Sequence, residues 1–292
     1  MDTIVAALDL ETGTDAVLAR AIQLATAHAA RLLVLHVIEA EPLSQVAALS
    51  GRSESDLQEE LERQAFSTIE PLLVESGRTW RADAHIEFGA PHEVIARIAG
   101  EQNAAVVVIG PGKGRSLKEK VLGSTADRVI RTAAVPVLVV RKASAEPYRQ
   151  VVAAVDFSPQ SAVAVKEARR LVPEAALQLV HAVDIPPAFE QAMLRAGTSQ
   201  VEMQRYRLAR IDKARRDLAA FVRDVAGAGK IDTRVVHGRA GPALVRLSKG
   251  RRVDLVVMGP HGQGRLPHAL LGSVTQRVLK ESGCDVLVAG GR

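Results

Sequence analysis

Residues 254–280 read DLVVMGPHGQGRLPHALLGSVTQRVLK, and this stretch decides the fold. The apolar run at 255–258 is short enough for a buried strand, and Gly259 ends it. After a glycine-containing loop, Gly272-Ser273 opens a segment with apolar residues at helical spacing. A helix N-terminus offers unpaired backbone N–H groups and the positive end of the helix dipole, which suits an anion such as phosphate. The alternative for Ser273 is an ordinary N-cap.

The arrangement occurs twice. Gly110 and Gly123-Ser124 lie 149 residues before Gly259 and Gly272-Ser273, and VAALD at 5–9 matches VAAVD at 152–156. The stretch KASAEPYR at 142–149 is polar and contains proline, as linkers do. The chain is therefore predicted to be a tandem duplication with domains at 1–142 and 149–292.

Strands and helices alternate within each copy. In the first copy the pattern predicts strands at 3–9, 32–38, 83–88, 105–110 and 136–140, and helices at 14–30, within 54–76, at 91–102 and at 124–133. Such alternation is typical of parallel sheets with right-handed crossovers. We therefore expect an α/β protein with two tandem Rossmann-like, doubly wound domains, each a five-stranded parallel sheet with helices on both faces.

Candidate binding residues gather at one edge of each predicted sheet. Ligands of such sheets bind beyond the carboxyl ends of the strands, where the strand order reverses. The residues at these ends are Asp9 and Asp156 after the first strands, Val37 and Ala182 in the second, and Gly110 and Gly259 after the fourth. Each set could surround one small molecule.

These features resemble the universal stress protein family, here as a tandem pair over nearly the whole chain. The resemblance is carried by the strand-terminal Asp, the Leu-His-Val strand at 35–37 and the pattern G-x2-G-x9-G-S before the last helix. It implies an adenine nucleotide, ATP with or without Mg²⁺, whose base meets the strand ends and whose ribose and phosphates meet the glycine loop. In the second copy the implied and candidate contacts are Asp156, Ala182, Gly259, His261, Gly262, Gly272, Ser273 and Val274.

The first copy departs from the glycine motif. Lys113 stands where the second glycine belongs, between Gly112 and Gly114. Its Cβ could crowd the phosphates, or the flanking glycines could let the loop shift while the lysine supplies a charge-assisted contact. We expect this site to be weaker or empty, with candidate contacts at Asp9, Val37, Gly110, Lys113, Gly123 and Ser124.

Other site chemistries find little support in the sequence. The P-loop pattern and the H-E-x-x-H run do not occur, and the one cysteine, Cys284, is expected to be a packing residue. We therefore expect no dedicated metal site. His36 and His181 recur in register at apolar strand ends and are interpreted as structural, whereas His261 could face either a phosphate or water.

Charge is distributed unevenly along the chain. Residues 1–146 hold 15 basic and 20 acidic side chains, whereas residues 147–292 hold 23 and 13. Much of the basic excess lies at 205–216, where acidic residues are interleaved and Tyr206 is the neighbouring aromatic. We interpret this segment as a solvated helix face and do not expect nucleic-acid binding.

The sequence predicts a soluble cytoplasmic protein, because it shows neither a leader pattern nor 18 consecutive apolar residues. The resemblance implies that the last strands pair, so that one chain mimics a dimer with a pseudo-two-fold; further homodimerisation is left open. The leading function is a nucleotide-binding stress-response regulator or sensor that acts on an unidentified protein partner. The alternatives are a slow ATPase or phosphotransferase, and a protein-binding module independent of nucleotide.

Overall fold

The structure of the chain is a computed structural model that describes residues 1–10, 14–75, 82–112, 122–144, 146–225, 231–250, 252–263 and 270–289. The predicted contact Lys113 lies outside the described residues.

The first copy contains five strands and five helices within these ranges. In chain order they are β1 (Thr3–Leu8), α1 (Thr14–His28), β2 (Arg31–Ile38), α2 (Glu41–Ser50), α3 (Glu54–Glu75), β3 (Ala82–Phe88), α4 (Pro91–Glu101), β4 (Val106–Ile109), α5 (Ser124–Thr132) and β5 (Val137–Val139).

The second copy repeats this order. Its elements are β6 (Gln150–Ala154), α6 (Pro159–Leu171), β7 (Ala176–Val183), α7 (Pro187–Arg195), α8 (Gln200–Val225), β8 (Asp232–His237), α9 (Ala240–Ser248), β9 (Leu255–Met258), α10 (Ser273–Glu281) and β10 (Asp285–Val288).

The first compact unit comprises Met1–Pro147 together with Asp285–Arg292. Its strands follow the order β3-β2-β1-β4-β5-β10, in which β1 to β5 are parallel. The C-terminal strand β10 runs antiparallel to β5, with Val286 opposite Val139 and Val288 opposite Val137. The predicted pairing between the last strands of the two copies is therefore present.

The second compact unit comprises Tyr148–Cys284. Its strands follow the order β9-β6-β7-β8, and all three pairings are parallel. The strand order reverses between β6 and β9, because β7 and β8 extend the sheet on one side of β6 while β9 lies on the other. This is the position at which doubly wound sheets bind ligands.

Burial explains why these segments form central strands. All four residues of β4 and all four of β9 are buried, as expected for strands covered on both faces. The predicted α/β class with parallel strands is confirmed. The predicted domain limits, 1–142 and 149–292, stay a prediction.

Helices α2 and α7 were not predicted. Leu43 is buried in α2, but Val46 and Leu49 are exposed, and all nine residues of α7 lie at least partly at the surface. Sequence recognition of a helix depends on an apolar stripe that faces a core. Neither helix buries a continuous apolar stripe against a core, although Phe189 and Met193 of α7 stand at helical spacing.

Candidate functional site

The second-unit site begins at the carboxyl end of β6. The chain turns there through Phe157, which has a positive φ of 67° although it is not glycine. Asp156, the preceding residue, is partly buried, and its Oδ1 accepts hydrogen bonds from the Ser158 backbone N–H at 3.0 Å and the Ser158 hydroxyl at 2.6 Å. The Ser158 hydroxyl also caps α6 by accepting from Ser161 N at 3.2 Å. The helix cap thus fixes the orientation of the carboxylate.

The loop after β9 reaches the same carboxylate. The backbone N–H of Gln263 donates to Asp156 Oδ2 at 3.0 Å, and the Gln263 carboxamide donates to the Asp156 backbone oxygen. Gly262 lies so close that a Cβ at this position would collide with Asp156 Oδ2. The structure therefore brings the predicted residues Asp156 and Gly262 together.

The loop is also tied to the start of α10. Gly272 N donates to Pro260 O at 2.8 Å, and the buried Thr275 hydroxyl donates to Gly259 O at 2.9 Å. A Cβ on Gly272 would lie 3.2 Å from the Cα of His261, and one on Gly259 would lie 3.0 Å from the Cβ of Gln160. These two glycines are therefore needed for close packing of the loop.

The first turn of helix α10 lies at this loop. Its N-cap is Gly272, and no side chain of the described residues caps it by a hydrogen bond, so Ser273 is not an ordinary N-cap. The first helical bond runs from Gln276 N to Gly272 O, and helix geometry leaves the N–H groups of residues 273–275 without an intrahelical acceptor. Ser273 is exposed and Val274 is partly exposed beside these groups.

His261 and Ala182 complete the predicted set. His261 is partly buried in the loop, with its backbone against Gly272. Ala182 is partly buried in β7, opposite Val236 of β8, near the end of the strand. Both lie on elements that reach the carboxyl edge of the sheet.

The first unit has a cavity of about 920 Å³ at the corresponding edge. Its lining includes five of the six predicted contacts: Asp9, Val37, Gly110, Gly123 and Ser124. The sequence did not predict Gln64 and Thr68 of α3, which also line it. Gln64 and Thr68 stand four residues apart, each directly before an apolar residue that α3 buries, Ala65 and Ile69, and this helical spacing is the signal that could have identified them.

Glycines again allow close approach in the first unit. Gly112 has a φ of 81°, and a Cβ there would lie 2.9 Å from the Cα of Gly123. Gly123 N donates to Pro111 O at 2.7 Å, the counterpart of the bond between Gly272 and Pro260. The hydrogen bond from the Thr275 hydroxyl to Gly259 O cannot form in the first unit, because the matching residue, Ala126, has no hydroxyl.

The two recurrent histidines hold strand ends together. The Nδ1 atoms of His36 and His181 lie 2.8 Å from the backbone oxygens of Leu8 and Val155. Because a carbonyl only accepts, each Nδ1 must carry the proton and donate. The His181 ring also contacts Phe157, with ring centroids 4.4 Å apart. These contacts support the structural interpretation of both histidines.

The basic segment at 205–216 lies on α8. Lys213 pairs with Asp217 at 2.6 Å and Arg215 with Asp212 at 3.1 Å, and all four side chains are largely exposed. Tyr206 contacts Phe189 of α7, at a centroid distance of 5.8 Å. Ion pairs along one helix are typical of a solvated face, in agreement with the sequence interpretation.

Together the fold and the site define a class: duplicated, doubly wound α/β proteins with a glycine loop at the switch point of the sheet. Within that class the chain belongs to the universal stress protein family. The model of the universal stress protein family matches residues 1–141 and 147–290, that is, both copies. The resemblance predicted from the sequence is thereby confirmed.

Relatives with the same tandem length support this membership. A universal stress protein of Mycolicibacterium smegmatis is 28% identical over 99% of this chain and 97% of its own length. One from Mycobacterium tuberculosis is 29% identical over 88% of this chain and 86% of its own. A crystal structure of a universal stress protein from Archaeoglobus fulgidus covers 99% of this chain and 98% of its own, with a TM-score of 0.65 and 19% identity, and shows the shared fold.

Within the described ranges, no helix combines the length and the apolar character needed to cross a membrane.

Proposed function

We propose that the chain binds ATP or a related adenine nucleotide in its second unit and acts as a stress-response regulator or sensor. The observation that carries this proposal is the loop of residues 259–263, which touches Asp156 at one end and the first turn of α10 at the other. A ligand with a hydrogen-bonding base and an anionic tail fits such a site, because the two ends differ in charge. Adenine nucleotides have this combination.

Each end of the site has chemistry suited to one part of the nucleotide. The Asp156 carboxylate and the end of β7 at Ala182 would meet the adenine base. The exposed Ser273 hydroxyl and the first-turn N–H groups of α10 would meet the phosphates, which the helix dipole also favours. The phosphates of ATP carry the negative charge that the first turn of α10 favours. Mg²⁺ bound together with ATP would neutralise part of this phosphate charge.

Close approach of the loop depends on the glycines. A Cβ at Gly262, Gly272 or Gly259 would meet neighbouring atoms at 3.2 Å or less. Real Cβ atoms seldom tolerate such distances, so the backbone can take this course only without side chains. This is the arrangement that a phosphate-binding loop requires.

In the first unit we propose a second, weaker site that uses Asp9, Val37, Gly110, Gly123 and Ser124, with Lys113 as a further contact. The cavity of about 920 Å³ is large enough for a nucleotide. Ala126 cannot make the hydroxyl bond that Thr275 makes to Gly259 O, and this difference favours lower affinity in the first unit.

The proposed role is regulation in the cytoplasm through a protein partner, rather than efficient catalysis. Phosphoryl transfer requires groups that hold a metal ion and position a nucleophile, in addition to a phosphate cradle. Asp156, the carboxylate at this site, already accepts hydrogen bonds from Ser158 and Gln263. Nucleotide occupancy would then alter a surface that the partner recognises.

Isothermal titration calorimetry with ATP and Mg²⁺ tests the binding. We expect wild-type protein to bind, and Gly262→Val to lose the second-unit component because its side chain collides with Asp156. Gly100→Val in α4 is the matched control, since a Cβ at Gly100 meets no atom within 4 Å. If Gly262→Val binds ATP as the wild type does, the second-unit site is refuted.

A further inference from the structure

Gln263 donates to two of the three acceptor oxygens of Asp156, the carboxylate Oδ2 and the backbone oxygen. Its backbone N–H reaches the carboxylate Oδ2 at 3.0 Å, and its carboxamide reaches the backbone oxygen of the same residue. No part of the family resemblance assigned a role to this residue. One residue of the protein, through its backbone N–H and its side chain, thus occupies the hydrogen-bonding edge that the proposed nucleotide site would use.

The donors of Gln263 resemble those of adenine. The backbone N–H of Gln263 supplies one of the two bonds and its carboxamide the other, whereas the exocyclic amino group of adenine carries two N–H donors on one nitrogen. A carboxylate and a backbone carbonyl only accept, so an adenine base and Gln263 would compete for the same oxygens of Asp156.

Adenine could replace Gln263 while the Asp156 carboxylate keeps its position. Asp156 Oδ1 is held separately by the Ser158 N–H and hydroxyl, at 3.0 and 2.6 Å. When Gln263 withdraws, only Oδ2 and the backbone oxygen lose their donors. Gln263 is exposed, so its withdrawal uncovers little apolar surface.

We propose that Gln263 acts as an internal competitor, which occupies the base-recognition edge of the second unit in nucleotide-free protein and is displaced by the adenine amino group. The inference rests on the proposed function and describes how nucleotide binding at that site is regulated. The apparent dissociation constant is the intrinsic one divided by the fraction of molecules in which the edge is open. Gln263 therefore lowers nucleotide affinity, and a partner that pulls the loop away would raise it.

Calorimetric titration of full-length wild type and Gln263→Ala with ATP tests the inference. The alanine variant loses the carboxamide bond, and we expect its second-unit dissociation constant for ATP to fall about three- to tenfold. Gln191→Ala on the exposed face of α7 is the matched control and should bind as the wild type does. The part of ATP binding that Gly262→Val abolishes is the part that belongs to the second unit.

A titration with ITP, which carries a carbonyl in place of the amino group, separates competition from direct contact. We expect the affinities for ATP and ITP to rise by the same factor in Gln263→Ala, because both nucleotides require the Asp156 edge to be open. ATP should stay the preferred nucleotide in both proteins. Weaker or unchanged ATP binding in Gln263→Ala would overturn the inference and leave the proposed function standing. Failure of both proteins to bind any nucleotide would overturn both.

Discussion

At the scale of single residues, the site depends on contacts that fix the glycine loop. Thr275 is 2% exposed, and its hydroxyl is the side-chain donor that ties α10 to Gly259 O. The first copy has Ala126 at this position. The second copy therefore has a side-chain bond to its loop that Ala126 cannot supply in the first.

Thr275→Val keeps the shape of the side chain but removes the donor. We expect a loss of about 1–3 kcal/mol in unfolding free energy, because Gly259 O is left buried and unsatisfied, and weaker ATP binding in the second unit. Urea denaturation and calorimetry measure the two effects. Thr132→Val removes an exposed hydroxyl bond to Arg128 O and should change stability by less than about 0.5 kcal/mol. Equal effects of the two substitutions would contradict the anchoring role.

How far the sequence could predict the site depended on the kind of residue. Asp156 and Gly272 were predictable, since their types and spacing recur in the first copy and strand ends meet at one edge, and Gly262 was predictable from the glycine motif of the family resemblance. Gln263 and Thr275 were not, because a sequence does not reveal where a loop side chain points. The positive φ at Phe157 was equally hidden, as large side chains seldom adopt it.

At the scale of elements, α8 begins with a capping box. The N–H and hydroxyl of Ser199 donate to Glu202 Oε2 at 2.8 and 2.7 Å, and Glu202 N donates to the Ser199 hydroxyl at 3.2 Å. The spacing S-x-x-E at the start of a helix is the known signature of this motif. Hydrogen bonds from the Ser199 side chain, and then from its backbone, lower the pKa of Glu202 below its ordinary value of 4.5.

The capping box predicts how the start of α8 responds to substitution and to pH. Ser199→Ala should destabilise this end of the helix by about 1 kcal/mol. Because folding lowers the pKa of Glu202, its contribution is complete above pH 4.5 and is lost as pH falls through the folded value. Hydrogen exchange of amides 200–204 measures both effects. If amides 200–204 are equally protected from hydrogen exchange in Ser199→Ala and wild type at pH 7, the capping box does not stabilise the start of α8.

Elements differ in how well the sequence predicted them. The strands of the first copy and α1, α3, α4 and α5 were predicted to within about two residues, because buried apolar runs and stripes leave a clear period. Helices α2 and α7 were missed because their side chains are mostly exposed. Helix α7 is held to α8 by the ion pair of Glu190 with Arg207 and by the ring contact of Phe189 with Tyr206.

At the scale of the whole molecule, the C-terminal strand is part of the first compact unit. Asp285, at the start of β10, is 1% exposed and lies 3.6 Å from the Nε atom of Arg20 on α1. Its Oδ1 also accepts from the backbone N–H groups of Arg141 and Lys142, at 2.7 and 3.2 Å. These bonds attach the end of the chain to the segment that follows β5.

Asp285→Ala tests this attachment. Removing one partner of a buried ion pair typically costs about 3–5 kcal/mol, and we expect a loss of this size in unfolding free energy. Asp254→Ala is a matched control, because Asp254 also accepts from two successive backbone N–H groups, those of Arg149 and Gln150, but lies nearer the surface. We expect it to cost about 1 kcal/mol, and chemical denaturation compares the two. Similar losses for both would argue against a special role for the buried pair.

The duplication itself was predictable from the sequence, since matched motifs recur at a nearly constant offset. The membership of β10 in the first unit depends on long-range contacts of Asp285 and on its pairing with β5. Such contacts join residues more than 140 positions apart, and local sequence patterns carry no record of them.

Photolabelling with 8-azido-ATP tests the central claim most directly, because it shows where the adenine base lies. After irradiation of the full-length protein, peptide mass spectrometry should find the label near Asp156 or Ala182, and excess ATP should prevent it. Gly262→Val should lose this label, whereas Gly100→Val should keep it. Labelling confined to peptides away from the strand ends, or labelling that ATP does not compete, would contradict adenine-nucleotide binding at the edge of the second unit.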